Sequence, residues 1–139
     1  KAKKLGLEPG PNIGKLSQGK EVKVKNKIIK PDDVSKLIPQ KKVSFILDTQ
    51  LCDSCFTLAE DADLLISESS FASKLIEKAE TNKHMTAKNA ALVANKVNVK
   101  KLILTHLSQR YKTPEEVLED AKNTFEDVEV AFDFMKVKI

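Results

Sequence analysis

The sequence predicts a layered α/β fold. Three short apolar runs rich in strand formers, Val43-Ser44-Phe45-Ile46-Leu47, Leu64-Leu65-Ile66 and Leu102-Ile103-Leu104, each stop at polar residues. Helical periodicity fills the segments between them, and strands alternating with helices are the signature of an α/β layer.

In chain order, residues 1–20 hold Pro9-Gly10-Pro11, Gly14 and Gly19, and read as a loop because these residues interrupt regular structure. From Glu21 to Lys25 apolar and polar residues alternate, which predicts a half-buried strand. Pro31-Asp32-Asp33-Val34 reads as a turn or short helix start, stopped at Ile38-Pro39. Residues 1–42 therefore form a loop and edge-strand region, and residues 43–139 the α/β layer. Within that layer a strand ends at Asp48-Thr49, a helix covers 52–61, and a buried strand ends at Ser67-Glu68. Helices follow over 71–82 and 86–97, the second with Ala87, Ala90, Ala91, Ala94 and Val97 on one face and Thr86 as its N-cap. The third strand ends at Thr105-His106. In Thr113-Pro114-Glu115-Glu116, Thr113 is placed to cap, Pro114 takes the first helical position and Glu116 completes a capping box. Residues 128–132 and 135–139 read as two closing strands.

Composition bounds the function classes. The 139 residues suit one domain or part of one. The net charge of +4 permits a polyanionic partner without demanding one, and 41% hydrophobic residues exclude a disordered chain. No stretch approaches the roughly 18 apolar residues of a membrane span, so no membrane partner is expected. Two cysteines cannot build a disulfide scaffold, and a reduced, cytoplasmic setting is the simplest reading. The chain begins at Lys1 rather than Met, which predicts processing or a piece of something longer.

Ligands of open α/β sheets gather at the carboxyl ends of strands. Asp48, Glu68 and His106 each follow an apolar strand, which would set two carboxylates and an imidazole on one rim. Each alone reads first as an ordinary strand-end turn residue; the three together favour a site. Asp with His suits zinc, manganese or iron, but a catalytic zinc takes about three protein ligands. With only His84 and His106, this sequence cannot build a histidine-rich site alone. His84, before the helix at Thr86, is either a phosphate contact or general acid, or an exposed loop histidine. Arg110 is either a phosphate clamp or a surface arginine paired with an acid. Cys52-Asp53-Ser54-Cys55 is a single Cys-x-x-Cys, too few thiols for structural zinc; it reads first as free thiols and second as a redox pair.

These residues resemble a known family in five blocks. Gly10-Pro11, Gly14-Lys15-Leu16, Gly19-Lys20 and Val22 resemble the Pro-Gly-Pro…Gly-Lys-Leu…Gly…Val segment of ribonuclease Z, the metal-dependent tRNA 3′-processing endoribonuclease of the metallo-β-lactamase fold. The strand into Asp48-Thr49, the run from Ala62 to Phe71, His84-Met85-Thr86-Ala87, and Leu104-Thr105-His106-Leu107-Ser108-Gln109-Arg110-Tyr111 resemble its later blocks in order. The resemblance implies the C-terminal half of a metallo-β-lactamase αβ/βα sandwich. It implies Asp48 and His106 as metal ligands, with Asp48 bridging two zinc ions. It implies His84 at the scissile phosphate or leaving oxygen, Glu68 supporting it, and Arg110 near the phosphate path. Leu47, Ser67 and Met85 stand where the family usually has Gly, His and Ser. The family's His-x-His-x-Asp-His motif is absent from these residues.

The expectation is therefore half of an enzyme that acts on precursor tRNA, inactive alone, completed by a missing N-terminal half and homodimeric. A half-domain is also expected to leave an apolar face open. Two alternatives stay open: another metallo-β-lactamase-fold hydrolase such as a phosphodiesterase or an arylsulfatase-like enzyme, and a non-catalytic subunit that binds RNA or a partner.

Overall fold

A computed structural model describes residues 2–35 and 39–139. The chain divides into two compact units, Lys1–Gln40 and Lys41–Ile139.

Residues 2–20 are not the loop that their glycines and prolines suggest. A 3₁₀ turn spans Ala2–Leu5, and helix α1 spans Pro11–Ser17. Pro11 starts α1 because the first helical position needs no N–H. The alternating segment is a hairpin rather than one strand: β1 (Val22–Val24) pairs antiparallel with β2 (Lys27–Ile29). Lys25 turns the chain with a φ of 53°. Helix α2 is the single turn Pro31–Val34, and the expected stop at Ile38-Pro39 falls partly outside the described residues. Leu7, Leu16, Val22 and Ile29 form this unit's own small core.

The second unit is built on a four-stranded sheet in the order β3-β4-β5-β6, with every neighbouring pair parallel. Its strands are β3 (Val43–Ile46), β4 (Leu64–Glu68), β5 (Leu102–Thr105) and β6 (Val128–Val130). Its helices are α3 (Asp53–Ala59), α4 (Ile76–Asn82, after a 3₁₀ turn Ser73–Leu75), α5 (Ala87–Lys96) and α6 (Glu115–Lys122). Register puts Ile46 beside Ser67, Leu65 beside Leu102, and Leu102 beside Val128, so these side chains share one sheet face. Ile46, Leu65, Leu102 and Val128 pack with Ala90, Ala91, Val93, Ala94, Val117 and Ala121 in one core. Small alanines on α5 let that helix lie close to the sheet. The opposite face of β3 leaves Phe45 56% exposed, and Leu47 just beyond it 53% exposed.

Thr86 caps α5 as expected, its hydroxyl accepting the Asn89 N–H at 3.1 Å. Two expectations are corrected. Helix α6 begins at Glu115 with Pro114 as its N-cap residue and no side-chain cap. Residues 135–139 alternate but form no strand, because no described strand lies alongside to pair with them.

Candidate metal and phosphate site

The site forms where β3, β4 and β5 end side by side. Ser67 sits opposite Ile46, and Glu68 opposite Thr105, so the three strands finish at one level. Asp48 stands two residues beyond β3 and His106 one residue beyond β5. Both adopt left-handed backbone, with φ of 53° and 57°. His84 arrives from the other direction, on the connection between α4 and α5.

Glu68 is the buried centre of this group, with no exposed surface. Its Oε1 accepts the Thr49 N–H at 2.5 Å and faces His84 Nδ1 at 3.2 Å. Its Oε2 accepts the Met85 N–H at 3.2 Å and the Ser70 hydroxyl at 3.0 Å. A buried carboxylate is tolerable only when hydrogen-bonded, and these four donors occupy both oxygens. Among the described residues, no lysine or arginine is paired with it.

This network also sets the histidine tautomers. The Ser70 oxygen carries a single proton, which goes to one of two acceptors, the Glu68 carboxylate or the His106 carbonyl at 3.0 Å. His106 Nδ1, 2.9 Å from the Ser70 oxygen, must then carry a proton and donate it to Ser70. His84 Nδ1 likewise donates to Glu68. Both imidazoles are left with Nε2 free. Their ring centroids lie 5.3 Å apart.

Ligand atoms of Glu68, His84 and His106 lie within 4.8 Å of one another, the one such cluster among the described residues. Asp48 joins them: its Oδ1 is 3.6 Å from His84 Nδ1, and its side chain is 75% exposed. The donors are imidazole nitrogen and carboxylate oxygen, a set that suits a borderline divalent ion. Because the donors around Glu68 already fill its oxygens, the groups open to an ion are the Asp48 carboxylate and the free histidine nitrogens. Glu68 belongs to the shell that orients them.

Arg110 is exposed; its Nε donates to Ser108 Oγ at 3.0 Å, and its guanidinium lies 4.9 Å from the centroid of the Phe71 ring. Phe71 in turn flanks His84, at 6.2 Å between centroids. The structure thus brings Asp48, Glu68, His84 and His106 together and sets Arg110 beside the phenyl ring that borders them.

The sequence reading missed the supports. Ser70 links Glu68 to His106, and the Thr49 N–H anchors the β3 connection to Glu68. Asp120 accepts the Ser73 and Lys88 N–H groups, and the Tyr111 hydroxyl accepts the Ala72 N–H, which tie down the approaches to His84. A signal for Ser70 was present: small polar residues directly after a buried strand must bond something if they are buried. A cavity of about 560 Å³ lies within the first unit, is mostly apolar, and includes none of these residues.

Comparisons with known proteins agree with this architecture. No family model matches the chain. It is 47% identical over 141 residues to ribonuclease Z of Methanothermobacter thermautotrophicus, covering 100% of this chain and 46% of that protein. Among solved structures it resembles a metallo-β-lactamase fold protein from Bacillus subtilis (30% identity, TM-score 0.58, 64% of this chain and 36% of that one). It also resembles the short form of human tRNase Z (29% identity, TM-score 0.55, 81% of this chain and 36% of that one). The fold is that of the metallo-β-lactamase proteins. The chain spans about half the length of the curated relatives it matches.

Proposed function

We propose, from a chain whose whole length matches the C-terminal half of ribonuclease Z, that these residues form part of a hydrolytic endoribonuclease that trims the 3′ end of precursor tRNA. The observation that carries the reading is the convergence of Asp48, His84 and His106 on the buried Glu68 at the ends of three parallel strands.

In this reading Asp48 and His106 hold a divalent ion, with zinc the first choice and manganese compatible. Such an ion supplies Lewis-acid stabilisation of charge developing on the phosphoryl oxygens. His84 carries a proton on Nε2 to the departing 3′-oxygen. Glu68 holds the other ring nitrogen, fixing the ring's orientation. Arg110, exposed and beside the Phe71 ring, meets the phosphate backbone; its planar donors suit that partner. Asp48 and His106 are fewer than the roughly three protein ligands of a catalytic zinc. The remaining ligands come from residues outside these 139, in the missing N-terminal half, and the chain alone does not cleave RNA. The complete enzyme is a homodimer in the cytoplasm.

The test is a cleavage assay on precursor tRNA, with this chain alone and with the N-terminal half of a ribonuclease Z supplied. The expected result is no product from the chain alone and 3′ cleavage when completed. In the completed enzyme His84→Ala should lower the rate by about 10²-fold or more. A completed protein that hydrolyses small phosphodiesters but leaves precursor tRNA intact would sink the tRNA reading and favour the phosphodiesterase. No hydrolysis of either substrate would favour a binding subunit.

A further inference from the structure

We infer that Cys52 and Cys55 are a redox-active dithiol that closes to an intramolecular disulfide, with Cys52 as the attacking and Cys55 as the resolving sulfur. Nothing in the hydrolytic chemistry uses either residue. Their Sγ atoms lie 3.7 Å apart, with both thiols free. A disulfide bond is about 2.05 Å long, so closure requires the sulfurs to approach by roughly 1.6 Å. Rotation of the exposed Cys52 side chain supplies much of that movement, because Cys52 precedes α3 in extended backbone and is unconfined by a helical turn.

The two sulfurs differ in the way an ordered exchange needs. Cys52 is exposed, and a soluble reagent can reach it. Cys55 is 3% exposed, and burial pushes its thiol above the usual cysteine range. A cavity of about 200 Å³, lined by Phe45, Leu47, Thr49, Leu58 and both cysteines, opens onto the pair and has room for a small reagent. A metal reading is weaker, since two thiols are half of a structural zinc set, and neither cysteine belongs to the described metal cluster.

The co-reactant is a small-molecule disulfide. The Cys52 thiolate attacks one of its sulfurs, forming a mixed disulfide and releasing one small thiol. The Cys55 thiolate then attacks Cys52 Sγ, forming the internal bond and releasing the second. Two electrons pass from the chain to the small disulfide, and the two thiol protons leave with the two product thiols. Cys52 ends the connection that carries Asp48 and Thr49 into α3, and Cys55 lies in the first turn of that helix. Reduced Cys55 donates to the Gln50 carbonyl at 4.0 Å, and the oxidised form has no S–H to donate.

The test equilibrates the purified chain with a small disulfide and its thiol, quenches with acid, alkylates, and maps the peptides by mass. The expected product is a Cys52–Cys55 disulfide that a dithiol reverses. Cys55→Ser should instead accumulate the mixed disulfide on Cys52. Cys55→Ala, which buries no hydroxyl, should do the same. Cys52→Ser should react at least about tenfold more slowly than the native chain. A native chain that stays as the Cys52 mixed disulfide without closing would overturn the inference. So would equal reactivity of the two single-cysteine forms.

Discussion

Replacing Glu68 with Gln tests whether a hydrogen-bonded carboxylate organises the strand ends. The side chain keeps its shape and loses one acceptor. Backbone N–H groups approach both oxygens, Thr49 at Oε1 and Met85 at Oε2. Neither can turn to accept, so whichever way the amide lies, its NH₂ faces a backbone N–H. One hydrogen bond to a charged acceptor is lost, worth about 1.5–3 kcal/mol, and a buried donor is left without a partner. A neutral amide is easier to bury than a carboxylate, which offsets part of that loss. We expect Glu68→Gln to destabilise by about 2 kcal/mol. Urea unfolding of both forms, with an unchanged slope against denaturant, measures it. The control is Asp48→Asn, whose side chain is 75% exposed and should shift stability by less than about 0.5 kcal/mol. A Glu68→Gln chain as stable as the parent would refute the account of Glu68 as an obligate acceptor.

Two further outcomes follow from the same structure. Asp63 is held well below the usual carboxylate range, first by the Lys100 ammonium and then by the Lys42 N–H and Lys41. Its folded value lies below its unfolded value of about 3.9, so its contribution is present above that pH and lost as pH falls toward the folded value. Asp63→Asn should therefore flatten the acid side of the stability profile below about pH 4, read by chemical denaturation across pH. Thr86→Ala removes the hydroxyl that accepts the Asn89 N–H and should cost about 1 kcal/mol in the same assay; Thr86→Ser should restore most of it.

The parts of the fold that were legible in the sequence are those whose signal is local. The strands ending at Asp48, Glu68 and His106 are short apolar runs with polar stops, and the α5 cap is a threonine before an alanine stripe. The first 20 residues misled because Pro9-Gly10-Pro11 reads as interruption, whereas Pro11 in fact starts a helix. Residues 135–139 misled because alternation describes a strand's faces and says nothing of whether a partner lies beside it. At the candidate site, the side chains with distinctive chemistry were readable, and Asp48, Glu68, His84 and His106 do lie together. Ser70 and the Thr49 N–H were not, since their role exists only once Glu68 is buried between them. A motif shows which groups are present, and only packing decides which of them are saturated.

That saturation explains why the strand ends bend as they do. Among the described non-glycine residues with left-handed backbone, Lys25 turns the hairpin, and Lys83 closes α4 as its C-cap. Asp61 and Asn98 lie just beyond α3 and α5, where helices commonly end this way. Asp48 and His106 instead leave parallel strands, where extended backbone would carry their side chains onward. The two strands flank β4, whose end holds Glu68. Turning left-handed there brings Asp48 to 3.6 Å from His84 and His106 to 2.9 Å from Ser70. Glycine would take this backbone with less strain, but it has no group to offer a ligand. Aspartate and histidine are among the non-glycine residues that best tolerate it, and both carry donors for a divalent ion. Local strain at two strand ends is thus the means by which a plain parallel sheet gathers its polar groups above one buried carboxylate.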